Sequence, residues 1–222
     1  MKKNKIYIGG GFSEDQLLWI FSIISNYFNN SSKNVIILEN KLSKIFFKHS
    51  LLKKYLTNFN FLQQNSLYFF KSSFFKYFFV ILKYFPNIFF FVFFVNRNSI
   101  LKKKDKWDNI QFYHSFWDTS LKACKDGQLE PNLFIKLISI LRCYAAVELA
   151  KKIYKSGVKF VFLGHTVYSN RALLGYLRNK KIKIFTHAAF NLHSQFKSRD
   201  NSWQNISKDK FKLVKKKITI NQ

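Results

Sequence analysis

The segment from residue 158 to residue 187 constrains the fold more than any other part of the chain. It begins with the short apolar run VKFVFL, which is typical of a strand buried on both faces of a sheet. Gly164 lets the chain turn, and residues 170–179 then have the apolar spacing of a helix, for which Asn170 is a candidate N-cap. A second apolar run, Ile182–Phe185, predicts another strand. The segment therefore predicts a strand, a polar loop, a helix and a strand.

The polar loop of this segment contains the first candidate site residues. Ligands of open α/β sheets bind at the carboxyl ends of strands, where His165, Tyr168 and Arg171 are expected. A histidine there can exchange protons with a sugar hydroxyl or a phosphate near neutral pH. Tyr168 can stack on a sugar ring, and Arg171 can bind an anionic oxygen through two hydrogen bonds. A histidine bonded only to backbone, a packed tyrosine and a surface arginine are the open alternatives.

Two stretches of sequence carry a family resemblance. They are FYHSFWDTSLKACKDGQL and, further on, GHTVYSNRALLGYLRNKKIKIFTHAAFNLH. Together they resemble the N-terminal half of bacterial capsule and surface-polysaccharide biosynthesis proteins, which are glycosyltransferase-like enzymes of the GT-B type. In that family a strand ends in a histidine, a tyrosine follows three residues later, and a basic residue opens the next helix. The matching residues are His165, Tyr168 and Arg171, and the resemblance extends over residues 105–195.

The upstream motif of that family places an aspartate before a hydroxyl residue and a basic residue, which here are Asp118, Thr119 and Lys122. Activation of an acceptor hydroxyl needs a carboxylate within hydrogen-bond reach, so Asp118 is a candidate general base, with helix capping as the open alternative. The resemblance implies a Rossmann-like domain that holds the acceptor, whereas the nucleotide sugar binds to a second domain. We therefore expect a truncated or split chain, or one part of a two-chain enzyme, and activity of this chain alone is an open question.

The chain opens with a predicted strand, a glycine loop and a helix. The strand at Lys5–Ile8 is followed at once by Gly9, Gly10 and Gly11, and Ser13 is the predicted N-cap of the helix. A glycine loop at a helix N-terminus can approach a phosphate or a sugar. A tight turn that needs no Cβ atom is the alternative.

The next units continue the alternation of strands and helices. Val35–Leu38 predicts a second strand, and residues 41–57 predict a helix. Glu39 follows the strand where dinucleotide folds place a ribose-binding carboxylate. Because the GxGxxG fingerprint is missing, capping or a solvent-facing position is the favoured interpretation of Glu39. A long helix is predicted from residue 132 to residue 155, ending at Gly157.

Residues 67–95 are the most apolar part of the chain. Three lysines and the Pro86–Asn87 pair interrupt them, so a transmembrane span, which needs about 20 apolar residues, is not predicted. The part up to Tyr84 has the pattern of an amphipathic helix that can lie in a membrane interface, and Ile88–Val95 predicts a buried strand. A phenylalanine-rich core is the preferred alternative for both parts, because phenylalanine is abundant throughout the chain.

The formal net charge is +27, from 38 basic and 11 acidic residues. Such a charge is typical of proteins that bind nucleic acid or an anionic membrane surface. The preferred explanation of the charge is an AT-rich coding sequence that favours lysine over arginine. A membrane surface is the next explanation, and nucleic acid is the least favoured partner. No carboxylate or cysteine accompanies His187 and His193 at metal-ligand spacing, so we predict no metal and no cofactor. A secretory signal is not evident, which predicts a cytoplasmic protein, with a peripheral position at the inner face of the plasma membrane as a variant.

Alternating strand and helix patterns predict an α/β fold, a Rossmann-like three-layer domain with a mainly parallel sheet, over residues 1–195. Residues 196–222 predict a basic tail or the start of an interdomain linker. The predicted function is that of the acceptor-side half of a glycosyltransferase-like protein. Its acceptor is a polysaccharide or a lipid-linked sugar, and nucleotide sugar binds only with a second domain or chain. The alternative is a non-catalytic basic module that binds a membrane surface, favoured if residues 67–84 expose a phenylalanine face.

Overall fold

A computed structural model of the chain describes residues 4–27, 34–39, 42, 54, 65–70, 76–96, 107–124, 130–164, 167–178, 180, 182–188 and 191–195. The elements in these ranges, in chain order, are β1 (Lys5–Ile8), α1 (Glu14–Tyr27), β2 (Asn34–Glu39), β3 (Asn65–Phe70), α2 (Lys76–Phe94), α3 (Trp107–Ala123), α4 (Leu133–Lys155), β4 (Phe160–Leu163), α5 (Ser169–Arg178), β5 (Lys183–Ala188) and β6 (Asn191–Gln195).

The described strands form a single sheet with the order β3-β2-β1-β4-β5-β6. All neighbouring strands are parallel except β5 and β6, which pair antiparallel. At the centre of the sheet, Ile6 of β1 lies opposite Ile36 of β2 on one side and Phe160 of β4 on the other. The predicted α/β fold with a mainly parallel sheet is confirmed. The chain runs outward from β1 to β3 and returns to the other side of β1 at β4, so the strand order reverses between β1 and β4.

Helices cover both faces of this sheet. Since successive side chains of a strand point to opposite faces, each central strand contributes to two separate cores. Ile6 and Ile8 of β1 join Phe162 of β4 in a core packed against α1. Tyr7 of β1 joins Val161 of β4 in a second core, packed against α4 and α5. The three-layer arrangement predicted from the alternation of elements is therefore present.

A third core lies among the helices α2, α3, α4 and α5, away from the strands. Its aromatic centre is Phe91 of α2, whose ring centroid lies 4.7 Å from that of Tyr113 and 5.2 Å from that of Phe116, both in α3. The ring of Tyr84 in α2 stacks on that of Tyr144 in α4 at 4.2 Å. This core fixes one side of α2 to the domain.

The predicted strand at Ile88–Val95 is wrong, because α2 extends through Pro86 to Phe94. Within this part of α2, the buried residues are Ile88, Phe91 and Val92, at helical spacing. A continuous apolar run has no polar positions that would distinguish a strand from a helix. The proline is accommodated by a kink, with non-helical φ and ψ of −120° and 18° at Tyr84.

The predicted helix over residues 67–84 is also corrected, since residues 65–70 form β3 and the helix begins at Lys76. Nor is α2 simply a phenylalanine-rich core element, because Phe78, Phe79 and Leu82 are exposed. The phenylalanine face that favours the membrane-surface alternative is thus present on residues 76–84. The helix predicted for residues 41–57 and the tail predicted for residues 196–222 lie outside the described residues, except for the helical positions 42 and 54.

The predicted helix-end signals at Ser13 and Gly157 are confirmed, and α4 has a further cap at its start. The Ser13 hydroxyl accepts a hydrogen bond from Gln16 N, and Ser13 N donates to Gln16 Oε1 at 2.9 Å. Asn132 caps α4 by accepting from Ile135 N at 2.9 Å. Gly157, just beyond α4, has a positive φ of 76°, which favours glycine. Asn170 is not an N-cap, because α5 already begins at Ser169.

Candidate ligand-binding cleft at the sheet edge

A cleft of about 930 Å³ opens at the carboxyl end of β1 and β4, where the strand order reverses. Its floor is formed by the loops that follow β1 and β4, and its walls by α2, α3, α4 and the start of α5. Ligands of open α/β sheets bind at such a reversal point. The cleft is therefore the candidate site of this protein.

The two loops at the floor of the cleft touch each other through their backbones. Gly9 N donates a hydrogen bond to Phe162 O at 2.8 Å. A Cβ atom at Gly164 would lie 2.3 Å from Gly11 O, and one at Gly9 would lie 2.3 Å from a methyl carbon of Leu163. Close backbone packing thus requires glycine at position 164, whereas at position 9 the leucine side chain would have to move. Gly10 and Gly11 line the cleft itself.

Glu39, at the end of β2, belongs to the same floor. Its carboxylate accepts a hydrogen bond from Gly10 N, so it holds the glycine loop. Burial raises the pKa of the neighbouring Tyr7 well above its usual value, and the negative charge of Glu39 raises it further. Sequence reasoning considered Glu39 and favoured a capping or solvent-facing position, whereas the structure places its carboxylate in the cleft.

Tyr168 lines the cleft and is held in an uncommon backbone conformation, with a φ of 56°. Its carbonyl oxygen accepts hydrogen bonds from the Ser115 hydroxyl and from Arg171 N, the latter at 3.0 Å. The ammonium group of Lys122 lies 4.1 Å from the centroid of its ring, within the range of a cation–π contact. Strained residues of this kind often occur at functional sites, which favours a ligand-binding role for Tyr168.

Asp118 and Arg171 bind each other rather than line the cleft. Arg171 Nη1 donates to Asp118 Oδ2 at 2.9 Å, and the two side chains are 18% and 34% exposed, respectively. Asp118 lies inside α3 and not at its N-terminus, so the capping alternative for Asp118 is wrong. The ion pair joins α3 to α5 directly behind the loop that carries Tyr168.

The cleft is positively charged. Five cationic side chains line it, against the two carboxylates of Glu39 and Glu148; the cations are Lys76, Lys83, Lys122, Arg142 and Lys152. Clefts lined by one sign of charge concentrate ligands of the opposite sign. The cleft therefore favours an anionic ligand.

Glu148 is the centre of a polar cluster on the wall formed by α2 and α4. Its carboxylate accepts from Lys83 Nζ at 3.0 Å, from Lys151 Nζ at 2.8 Å and from the Tyr84 hydroxyl. Burial opposes ionisation of Glu148, but the hydrogen bonds from Lys151, Tyr84 and Lys83 together outweigh it and lower its pKa to about 2. Glu148 is therefore ionised at neutral pH and offsets one of the two positive charges of Lys83 and Lys151.

Sequence reasoning missed this cluster and the cations of α4. The available signal was the spacing of Glu148 and Lys151, three residues apart on one helix. Of the predicted site residues, Gly10, Gly11 and Tyr168 meet in the cleft, with Gly9 packed beside them. Asp118 and Arg171 stand behind Tyr168, and His165 lies outside the described residues. Among those residues, no group of three His, Cys, Asp or Glu side chains is placed to hold a metal ion.

Comparisons with known proteins add little to this geometry. No protein-family model and no curated protein matches the chain. Among solved structures, the chain is similar to the tyrosyl-tRNA synthetase from Archaeoglobus fulgidus complexed with L-tyrosine, with 9% identity and a TM-score of 0.33. The match covers 81% of this chain and 50% of the synthetase, so the chain spans about half the length of that enzyme. A similarity at this level carries no argument about function.

Proposed function

We propose that this chain is the acceptor-side half of a glycosyltransferase-like protein of capsule or surface-polysaccharide biosynthesis. The observation that supports this proposal is the cationic cleft at the carboxyl edge of the sheet, with Gly10, Gly11 and Tyr168 in it. Its position is where α/β domains bind their ligands, and its volume of about 930 Å³ is within the range of small-molecule sites. The sequence motifs that resemble the family contribute Tyr168 to the same cleft.

The side chains of the cleft suit a sugar acceptor that carries negative charge. Lys122, Arg142 and Lys152 can pair with a phosphate or carboxylate of the acceptor. The ring of Tyr168 can pack on a sugar ring, and the carboxylate of Glu39 can accept a hydrogen bond from a hydroxyl group. The acceptor we propose is accordingly an acidic polysaccharide or a phosphate-linked, lipid-bearing sugar.

Two roles follow for the residues that carry the family resemblance. His165 keeps its predicted role as a group that exchanges a proton with a sugar hydroxyl or a phosphate. Asp118 is better suited to positioning, because its carboxylate binds Arg171 and does not line the cleft. Nucleotide sugar, in this proposal, binds only when a second domain or chain is present.

Calorimetric titration of the purified chain tests the proposal. The probes are tetragalacturonate, which is an acidic oligosaccharide, neutral maltotetraose of the same length, and UDP-glucose. We expect saturable binding of tetragalacturonate, weaker binding of maltotetraose and no binding of UDP-glucose. Lys122→Gln and Arg142→Gln should each lower the affinity for tetragalacturonate at least about tenfold, the effect of losing one charge-assisted hydrogen bond.

Lys155→Gln is the matched control, because it removes the same charge from an exposed position of α4 that does not line the cleft. It should change the affinity by less than about twofold, the general effect of net charge. An equal loss in all three variants would reduce the binding to unspecific attraction by a basic protein. Tight, saturable binding of UDP-glucose would contradict the acceptor-side assignment.

A further inference from the structure

The outer side of α2 carries an exposed apolar stripe. It consists of Phe78, Leu82, Phe85, Phe89 and Phe93, spaced by three or four residues along one side of the helix. Their exposure ranges from 49% for Phe89 to 64% for Leu82. On a helix at the surface of a water-soluble protein this side is normally polar. A contiguous apolar surface of this kind marks a site of interaction.

Two further exposed apolar residues lie in the first turn of α4. Lys136 Nζ donates to Val95 O at 3.1 Å, which holds the start of α4 beside the end of α2. Leu133 and Phe134, in that first turn, are both more than half exposed. Exposed apolar residues are therefore found along the length of α2 and at the start of the helix beside its end.

The composition of α2 is that of a helix in contact with lipid. Among the described helices it is the one long and apolar enough to cross a membrane, with 19 residues and a mean hydropathy of 1.8. Only 22% of its apolar window is buried inside the protein, so most of it is not covered by other elements. Its opposite side, however, is anchored by the stacking of Tyr84 on Tyr144 and by the bond between Lys83 and Glu148. A spanning orientation would carry Glu148 into the hydrocarbon, where a charge is costly. The geometry thus suits a helix that lies in the plane of the interface.

Charge identifies the occupant of this surface. α2 contains no acidic residue, and its two charged side chains, Lys76 and Lys83, lie on the side that adjoins the cleft. With a net charge of +27, two copies of the chain repel each other, whereas an anionic surface attracts the chain. We infer that the α2 stripe docks this protein onto an anionic lipid bilayer, with the helix parallel to the surface and the phenylalanine rings among the headgroups. This inference does not depend on the function proposed for the cleft.

Vesicle co-sedimentation of the full chain tests the docking. The vesicles are phosphatidylcholine alone or phosphatidylcholine with about one third phosphatidylglycerol, at roughly 0.1 M and 0.5 M salt. We expect binding to the anionic vesicles that weakens with salt but does not vanish. The triple variant F78S/L82S/F89S should lower the partition coefficient at least about tenfold at either salt concentration, because it removes apolar area that the headgroup region buries.

Tyr154→Ser is the matched control. Tyr154 is an exposed aromatic residue of α4 that lies under the ammonium group of Lys180, outside the α2 stripe. Its substitution should leave the partition coefficient unchanged within about twofold. Because all the substituted side chains are exposed, thermal melting curves should show that every variant folds. Equal vesicle binding by the triple variant and the parent chain would overturn the inference.

The depth of α2 in the bilayer is measured with one added tryptophan per variant, either in the α2 stripe or at the control position. In Phe89→Trp, the fluorescence gained over the parent chain should be quenched by lipids brominated near the acyl carbonyls and less by lipids brominated near the chain ends. In Tyr154→Trp, neither lipid should quench the added signal. Strong quenching from the chain ends would contradict the interfacial orientation. Sedimentation velocity without lipid tests the alternative that a second copy covers the stripe. That alternative would hold if the parent chain formed a dimer and the triple variant were monomeric but still bound vesicles.

Discussion

Arg171 Nη1 lies 2.9 Å from Asp118 Oδ2, across 53 residues of sequence, and this ion pair ties the first turns of α5 to α3. The chemistry of the two side chains suggested separate roles, proton transfer for Asp118 and anion binding for Arg171. In the structure each fixes the position of the other. The loop between β4 and α5, which carries Tyr168, is thereby held against α3, and the Ser115 hydroxyl of α3 bonds the Tyr168 carbonyl directly.

The ion pair predicts a strongly non-additive pair of substitutions. Asp118→Asn or Arg171→Met should each lower the free energy of unfolding by about 1–2 kcal/mol, because the pair is partly buried and each change leaves the other group without its main partner. The double variant should lose much less than the sum of the two losses. Urea denaturation measures all three, with Lys155→Met as a surface control expected within about 0.5 kcal/mol of the parent. Additive losses would show that the two side chains act independently.

The backbone conformation of Tyr168 predicts an unusual order of stability among its variants. A φ of 56° is strained for tyrosine or alanine but not for glycine. Tyr168→Gly should therefore be more stable than Tyr168→Ala by about 1 kcal/mol, although glycine normally destabilises a folded chain. Both variants should lose affinity for tetragalacturonate, since both lack the ring that lines the cleft. If the alanine variant proves the more stable of the two, the backbone strain is not real.

Close packing at Gly164 predicts a severe effect of one methyl group. In Gly164→Ala the Cβ atom would approach Gly11 O to 2.3 Å and Phe12 N to 2.9 Å, both of them backbone atoms that cannot rotate away. We expect a loss of about 2–4 kcal/mol in the free energy of unfolding. Gly157→Ala is the control, because its Cβ atom would meet nothing within 4 Å and only the positive φ opposes it. A loss of about 1 kcal/mol is expected there, measured by thermal or urea unfolding.

Glu148 predicts a dependence of stability on pH. Its pKa is lowered in the folded chain to about 2 from an ordinary value of 4.5. A carboxyl group with a lowered pKa stabilises the fold above its unfolded pKa and loses that effect as the pH falls through the folded pKa. Glu148→Gln should thus cost about 1 kcal/mol at neutral pH, a modest value because solvent screens this partly exposed cluster. The difference from the parent chain should shrink between about pH 4.5 and pH 2, as followed by denaturation at several pH values.

Two lysines of α4 provide the control for the Glu148 prediction. Lys151 donates to Glu148 at 2.8 Å, whereas Lys155 is exposed and lies seven residues beyond Glu148, outside the lining of the cleft. Lys151→Met should reduce the effect of a subsequent Glu148→Gln substitution, because part of the interaction is already gone. Lys155→Met should leave that effect unchanged. Equal behaviour of the two double variants would refute the cluster as the cause of the lowered pKa.

The central strands were predictable because their apolar runs are short and bounded. The run before Gly164 forms β4 and the run Val35–Leu38 lies within β2, and in a parallel sheet both faces of such strands are buried. Residues 88–94 have the same apolar character yet continue α2, since their buried side chains pack against three other helices and not in a sheet. Strand β3 was not predicted, because it lies at the start of a longer aromatic stretch that has the pattern of a helix. Strand β6 was not predicted either, because the apolar pattern ends near residue 192.

The candidate site was predictable only where its residues directly follow the ends of strands. Gly10, Gly11 and Tyr168 follow strand ends, and the rule for parallel sheets brings such loops together. The bond from Arg171 to Asp118 was not predictable. The two residues are 53 positions apart, and neither motif indicates that its charged residue contacts the other motif. The cations of α4 belong to a helix whose start and end are clear, but its rotation about its own axis depends on packing against α2 and α5.

The contact between Gly164 and the backbone of Gly11 has a mechanical consequence for the cleft. With no side chain between them, neither loop can move toward the other, and a displacement of one must push its neighbour. A ligand that shifts Tyr168 on the loop after β4 therefore also strains the loop after β1, although the two segments are more than 150 residues apart in the chain. The floor of the cleft responds to its occupant as one stiff body, and amide signals from either loop will report on both.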